Sequence, residues 1–127
     1  MIAWISAFLI PIVVGILMHP TITAKMGPNG VVGYRFGVIA ANDDTWEAAH
    51  RASWPLLRAC LLLAVVGSTV VLLIQLLGDD EYLGHVAALQ ACGFLVVGTI
   101  GGMIKATNAA QDCLAELESP SSSGAAD

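Results

Sequence analysis

Charge is what this chain has least of. Charged residues are 12% of its 127 residues, about half the share of an ordinary soluble domain, while hydrophobic residues are 57%. The few charges gather in short polar connections and leave long uncharged blocks, a division that a bilayer selects. Only five residues are Lys or Arg, against ten Asp or Glu, so nothing here neutralises a row of phosphates and nucleic acid is not an expected partner. Cysteine is scarce too. Cys60, Cys92 and Cys113 are an odd number without paired spacing and read as small core residues or inert thiols. No nucleophile and base form an identifiable pair, and no phosphate loop or metal constellation is complete, so neither enzyme activity nor a cofactor is expected.

What is present is three apolar blocks. Residues 2–18 carry no charge and sit at the short end of the roughly 17–25 residues that cross a hydrocarbon core. A cleaved signal peptide is the rival reading, but no Lys or Arg precedes the block and it runs into His19-Pro20 without a clear small-x-small cleavage site. Pro11 lies mid-block, where a membrane helix tolerates a kink. Residues 56–77 hold one charge, Arg58, within a turn of one end, where it can snorkel to the headgroups. Residues 82–104 are uncharged if His85 is neutral, and Gly78-Asp79-Asp80-Glu81 alone separates them from the second block, so those two helices form an antiparallel hairpin. The expected fold class is therefore all-α: an integral membrane three-helix bundle over residues 1–118, with a loop at 19–55. A disordered tail is expected at 119–127, after the Ser119-Pro120 breaker.

Smaller features agree with these edges. Trp4, Trp54 and Tyr82 fall near the expected interfaces, where amphipathic rings prefer to sit. Gly98-x-x-x-Gly102 permits close backbone approach and reads as a helix-packing seam, within the monomer or between subunits. Gln75, His85 and Gln90 are placed to hydrogen-bond across the hairpin. Because no ionisable residue lies deep in a span, an ion-coupled transporter is disfavoured. Orientation follows the cations. Lys25, Arg35, Arg51 and Arg58 lie in or beside the first connection and Lys105 follows the third block, which predicts an outside N-terminus, a cytoplasmic first connection and a cytoplasmic C-terminus.

That first connection is far longer than the roughly 2–8 residues usual between bundled helices. Gly27-Pro28-Asn29-Gly30 is a strong turn signal, and Asn42-Asp43-Asp44 offers a helix cap followed by acids that favour the dipole. Asn42, Trp46, His50 and Trp54 recur every four residues along one face. This predicts a short interfacial helix that bends into the second span at Pro55. Arg35 follows a Gly-rich turn and either receives an anionic group or pairs with Asp43, Asp44 or Glu47. His50 with Glu47 is only half of a carboxylate-bridged metal site, so a hydrogen-bonded histidine holding the loop is the expected role and no metal is.

As a spaced set, Asn29, Gly33-Tyr34-Arg35, Asn42, Trp46 and His50-Arg51 resemble the signature of the SdpI-like family, bacterial membrane proteins named for an immunity protein against a secreted toxin. The family pattern is Gly-x-Arg, then Asn seven residues past the Arg, Trp four further on and His four beyond, met here by Gly33, Arg35, Asn42, Trp46 and His50. Where the family commonly continues with Thr and then Pro, this chain has Phe36-Gly37. The resemblance implies a multi-pass protein of the bacterial inner membrane, giving immunity to a membrane-active peptide or sequestering a regulator through its cytoplasmic loop. Two other readings stand beside it. One is a small accessory subunit packed on a larger membrane complex through the Gly98/Gly102 seam, and the other a lipid or small-ligand binder using Arg35 and the Asn42–Trp54 stripe.

Overall fold

The computed structural model describes residues 1–29, 32–78 and 82–119. Within them the chain is all-α: α1 (Ile2–Leu17), α2 (Pro20–Met26), a 3-10 turn (Gly37–Ala40), α3 (Asp43–Leu77) and α4 (Leu83–Glu118). Both α3 and α4 are long and apolar enough to cross a membrane, whereas α1 is so only when counted with α2 as one pair bent by 53°. At 1.5 Å per residue α3 and α4 each run roughly 50 Å, so each overruns a hydrocarbon core of about 30 Å by about 20 Å. The overrun lies at the end where α3 begins and α4 finishes, and it carries the loop.

The two long helices run antiparallel and share the largest interface in the molecule. A Cβ on Gly98 would lie 2.8 Å from the Cys60 Cβ, and one on Gly101 2.7 Å from Leu56 Cδ2. The Gln90 side-chain amide donates to the Leu63 carbonyl at 3.2 Å. Small residues recur at helical spacing along the buried stripe of α4, at Gly84, Ala87, Ala91, Gly98, Gly102, Ala106 and Ala110, while Leu89, Val96, Val97, Ile100 and Ile104 point outward. This inside-out pattern suits a helix whose surroundings are lipid, since close backbone packing rather than the burial of large side chains holds such helices together. α1 packs on both long helices, with Pro11 and Ala7 buried and Trp4 set over Gly84.

One expectation needs correction. The Asn42–Trp54 helix is not a separate interfacial element, because Pro55 does not end it and α3 continues unbroken to Leu77. A proline breaks a helix by removing one hydrogen bond and crowding the preceding turn. Here the segments on both sides of Pro55 pack against the same partner, α4, through Trp46 and Ala49 on one side and Leu56, Leu57 and Cys60 on the other, which keeps the helix continuous. The short helix that the loop does contain lies earlier, at Pro20–Met26. On the other long helix, α4 runs on past Lys105 to Glu118, as the helix-forming composition of residues 106–118 implies. Gly30, the acidic turn at Asp79, Asp80 and Glu81, and the tail from Pro120 onward lie outside the described residues.

Candidate functional site

The tightest packing is at the loop end of the helix pair. Of the largest fully buried side chains, Trp46, Ile39, His50, Thr23 and Thr45 all belong to the loop or to the first two turns of α3. Tyr34, Ile39, Trp46, Ala49, Ala106 and Ala110 form the hydrophobic cluster, with Met18, Val38 and Met103 against it. These groups sit beyond the apolar stretch that starts at Leu56, so water is their reference solvent and their burial drives folding in the ordinary way.

Local signals build this cluster step by step. His19 caps α2, its Nδ1 accepting from the Thr21 N–H at 3.3 Å, and Pro20 occupies the first helical position, where its missing donor costs nothing. Gly27, at φ +60°, ends the helix. Asn29 then closes the turn, donating to the Gly27 carbonyl at 2.8 Å and accepting from the Val32 N–H at 2.9 Å. Asn42 caps α3 through a reciprocal box, its Oδ1 accepting from the Thr45 N–H at 2.9 Å while Thr45 Oγ1 accepts from the Asn42 N–H at 3.2 Å. Asn42 is thus a helix start rather than the first member of a binding stripe.

Trp46 and His50 then tie the loop down. Trp46 Nε1 donates to the Thr23 carbonyl at 2.8 Å and holds α2 against α3. The Tyr34 N–H donates to His50 Nε2 at 2.9 Å, and His50 Nδ1 meets the Trp46 carbonyl at 2.8 Å. Since a backbone amide can only donate, Nε2 carries the lone pair and the proton resides on Nδ1, which fixes one neutral tautomer. The imidazole lies 4.4 Å from the Trp46 ring and 5.5 Å from that of Tyr34, centroid to centroid. Gly33, at φ +96°, admits this closeness: a Cβ there would collide with His50 Nε2 and lie 2.9 Å from two Trp46 ring carbons. One residue later Tyr34 drops its phenol over Gly102, where any Cβ would strike the hydroxyl. That hydroxyl is buried and forms no well-aligned hydrogen bond among the described residues; Ser53 Oγ, which donates to the His50 carbonyl at 3.1 Å, keeps acceptor capacity towards it. Burial pushes the Tyr34 phenol up, Ser53 acting the other way.

Burial pushes the His50 pKa below the ordinary histidine value, outweighing the opposite effect of the Trp46 carbonyl. The unfolded chain therefore binds the proton more readily than the docked loop does. Docking is stable above the ordinary histidine pKa of about 6.5 and weakens as pH falls through it towards the lower folded value. Protonation also sets an Nε2–H against the Tyr34 N–H, two donors facing each other. Acidification of the detergent-solubilised protein from pH 7.5 to 5 is expected to speed hydrogen exchange at the Tyr34 amide and to change Trp46 fluorescence. In His50→Gln, which keeps an acceptor but cannot titrate, that transition is expected to vanish; its persistence would assign it to another group.

The structure thus gathers Gly33, Trp46 and His50 into one interlocked unit, with Asn29 and Asn42 shaping the chain on either side. Arg35 is not part of this unit and is exposed on the loop surface. Of the acids expected to meet it, Glu47 pairs with Arg51 in an exposed ion pair on α3, an arrangement worth little to stability. With both ring nitrogens of His50 engaged and Glu47 turned to Arg51, the Glu47/His50 pair is not set for a metal. Among the described residues no group of three or more His, Cys, Asp or Glu is gathered for one. Gly98 and Gly102 serve contacts inside the chain, one to Cys60 and the other to Tyr34. His19 meets the Trp54 ring edge to face at 4.9 Å. Sequence reasoning missed Thr23, which acts through its carbonyl, and Ile39, lodged in the cluster; Tyr34 stood inside the spaced signature, but no role was assigned to its ring.

Long apolar helices with small residues inside and large ones outside, capped by a loop that a buried Trp and His lock onto the helix pair, define an α-helical membrane protein with a structured connecting loop. The chain belongs to the SdpI/YfhL protein family, whose model matches residues 25–106, from the end of α2 through the loop and α3 to the part of α4 that meets Tyr34. No curated protein and no solved structure matches the chain.

Proposed function

We propose that this protein is a bacterial inner-membrane protein that gives immunity to a membrane-active peptide, or signals its presence, through the loop between its first two apolar segments. It acts without catalysis and without a cofactor. The observation that carries this reading is the coincidence of two things in one segment: the family match spans residues 25–106, and the loop within it is packed as firmly as a protein core, with Trp46 and His50 each 1% exposed. A connection that served only as a tether would have no need of such packing. Its outer surface presents Arg35 and Phe36 on a rigid base, a form suited to recognition. The distribution of cations supports a cytoplasmic loop and C-terminus with α1 as a short first span.

Deletion of the gene is expected to sensitise cells to at least one secreted membrane-active peptide. Wild type should restore resistance, while Arg35→Ala and His50→Ala should fail to do so at equal membrane abundance. Undiminished survival of the deletion strain across a broad peptide panel, with no change in peptide-induced transcription, would overturn the proposal.

A further inference from the structure

Ser68 lies midway along the apolar stretch of α3, fully buried, and its hydroxyl makes no hydrogen bond among the described residues. Other helical hydroxyls behave differently: Ser6, Ser53, Thr69 and Thr107 each donate to a carbonyl three or four residues back in their own helix. α1 carries the complementary gap. Pro11 has no N–H, so the Ala7 carbonyl lacks the bond that closes the helix at that turn. That carbonyl points along the axis towards Pro11, and Ala7 and Pro11 are the two buried residues of α1, so it lies on the face turned to the long helices.

The register of α1 on α3 brings the two gaps to one level. A Cβ on Gly15 would lie 3.3 Å from Leu61 Cδ1, and Leu72 shares a groove with Trp4 and Phe8, so the helices run antiparallel. Counting back along α1 from Gly15 and on along α3 from Leu61 by the same number of residues sets Phe8 opposite Ser68, and the Ala7 carbonyl points to that level. Leu61, Ser68 and Leu72 also share one row of α3, the row that meets α1. The other side chains buried around this level, Ala64, Ala87 and Ala91, carry no donor. We propose that the Ser68 hydroxyl is the donor for the Ala7 carbonyl, a single polar tie poised to close between α1 and α3 at mid-bilayer. Hydrocarbon offers water to neither group, and a serine of a neighbouring helix is one of the few ways to satisfy a carbonyl freed by proline. α1 shares much less contact with either long helix than they share with each other. Its inner end is held through α2 by Trp46 and its outer end by Trp4 over Gly84; the tie fixes its middle. The inference does not depend on the immunity role.

The sequence allows a direct test, because Ala7-Phe8 is its one Ala-Phe step. Isotopic labelling of alanine carbonyls and phenylalanine nitrogens therefore selects the Ala7 carbonyl in solid-state NMR of the full chain in lipid bilayers. Ser68→Ala is expected to move that carbonyl signal upfield, the direction of a carbonyl that loses its donor. In the Pro11→Ala background, where residue 11 regains an N–H and supplies the helical bond, Ser68→Ala should leave the signal in place. An Ala7 signal unmoved by Ser68→Ala in the otherwise wild-type chain would overturn the inference, the hydroxyl then serving its own turn. So would an equal shift in the Pro11→Ala background, which would mark a change of packing rather than the loss of a bond.

Discussion

Gly33→Ala is expected to free the loop from the long helices while leaving the helices themselves assembled. Two penalties act at this one position. A residue with a side chain is strained at φ +96°, and the added Cβ collides with His50 Nε2 and crowds the Trp46 ring. Strain of about 1–3 kcal/mol and overpacking of about 1–3 kcal/mol together approach the whole stability of a small packed unit. Neither neighbour can retreat cheaply, because His50 is fixed by bonds at both nitrogens and Trp46 by its bond to Thr23. Gly37 is the control. It also has a positive φ, +45°, but nothing lies within 4 Å of its would-be Cβ, so Gly37→Ala carries the strain alone, about 1–2 kcal/mol. Hydrogen exchange in detergent separates them: the Tyr34 amide should lose most of its protection in Gly33→Ala and a smaller part in Gly37→Ala. Equal protection in both variants would mean that the Gly33 contact is not what holds the loop.

The same residue shows what was legible before the structure. Gly33 stood out in a spaced motif with Arg35, Asn42, Trp46 and His50, and the spacing of four in α3 rightly put Trp46 and His50 on one face. Helical periodicity is local, and any sequence displays it. What that face touches is not local. The backbone amide of Tyr34 and the carbonyl of Thr23 carry no side-chain signature, so the partners of His50 and Trp46 could not be read. Pro55 misled for a related reason, since a proline is a local stop signal whose cost was offset here by packing on α4, a partner distant in the chain. Gly98 and Gly102 were legible as a seam, but the choice between an internal and an external partner rested on where the Tyr34 phenol goes. Arg35 stood out as a candidate by its place in the motif, and it is exposed on the loop surface.

Trp46→Ala is expected to have the largest effect of any single substitution in the loop cluster. The indole is 1% exposed, packs with His50 at 4.4 Å, and is the only side chain whose hydrogen bond reaches α2 from α3 among the described residues. Water surrounds this end of the molecule, so magnitudes from soluble cores apply, and loss of a buried Trp costs about 3–5 kcal/mol. Trp46→Phe divides that total. Phenylalanine keeps most of the ring contact and removes the Nε1 donor, at about 0.5–1.5 kcal/mol. The Thr23 carbonyl is not orphaned, because the Gly27 N–H still reaches it at 3.1 Å. The phenylalanine variant should therefore loosen α2 alone, seen as faster exchange over Pro20–Met26, while the Tyr34 amide stays protected. The alanine variant should release both. In neither case should α3 and α4 separate, because the contacts of Gly98 with Cys60 and of Gln90 with the Leu63 carbonyl lie within the apolar stretch and do not depend on the indole. A Trp46→Ala protein that inserts at normal abundance, keeps α4 protected and still confers resistance would show that the docked loop is not the part that acts. Loss of resistance in Trp46→Ala with retention in Trp46→Phe would assign function to the Tyr34–His50 half of the cluster, apart from α2.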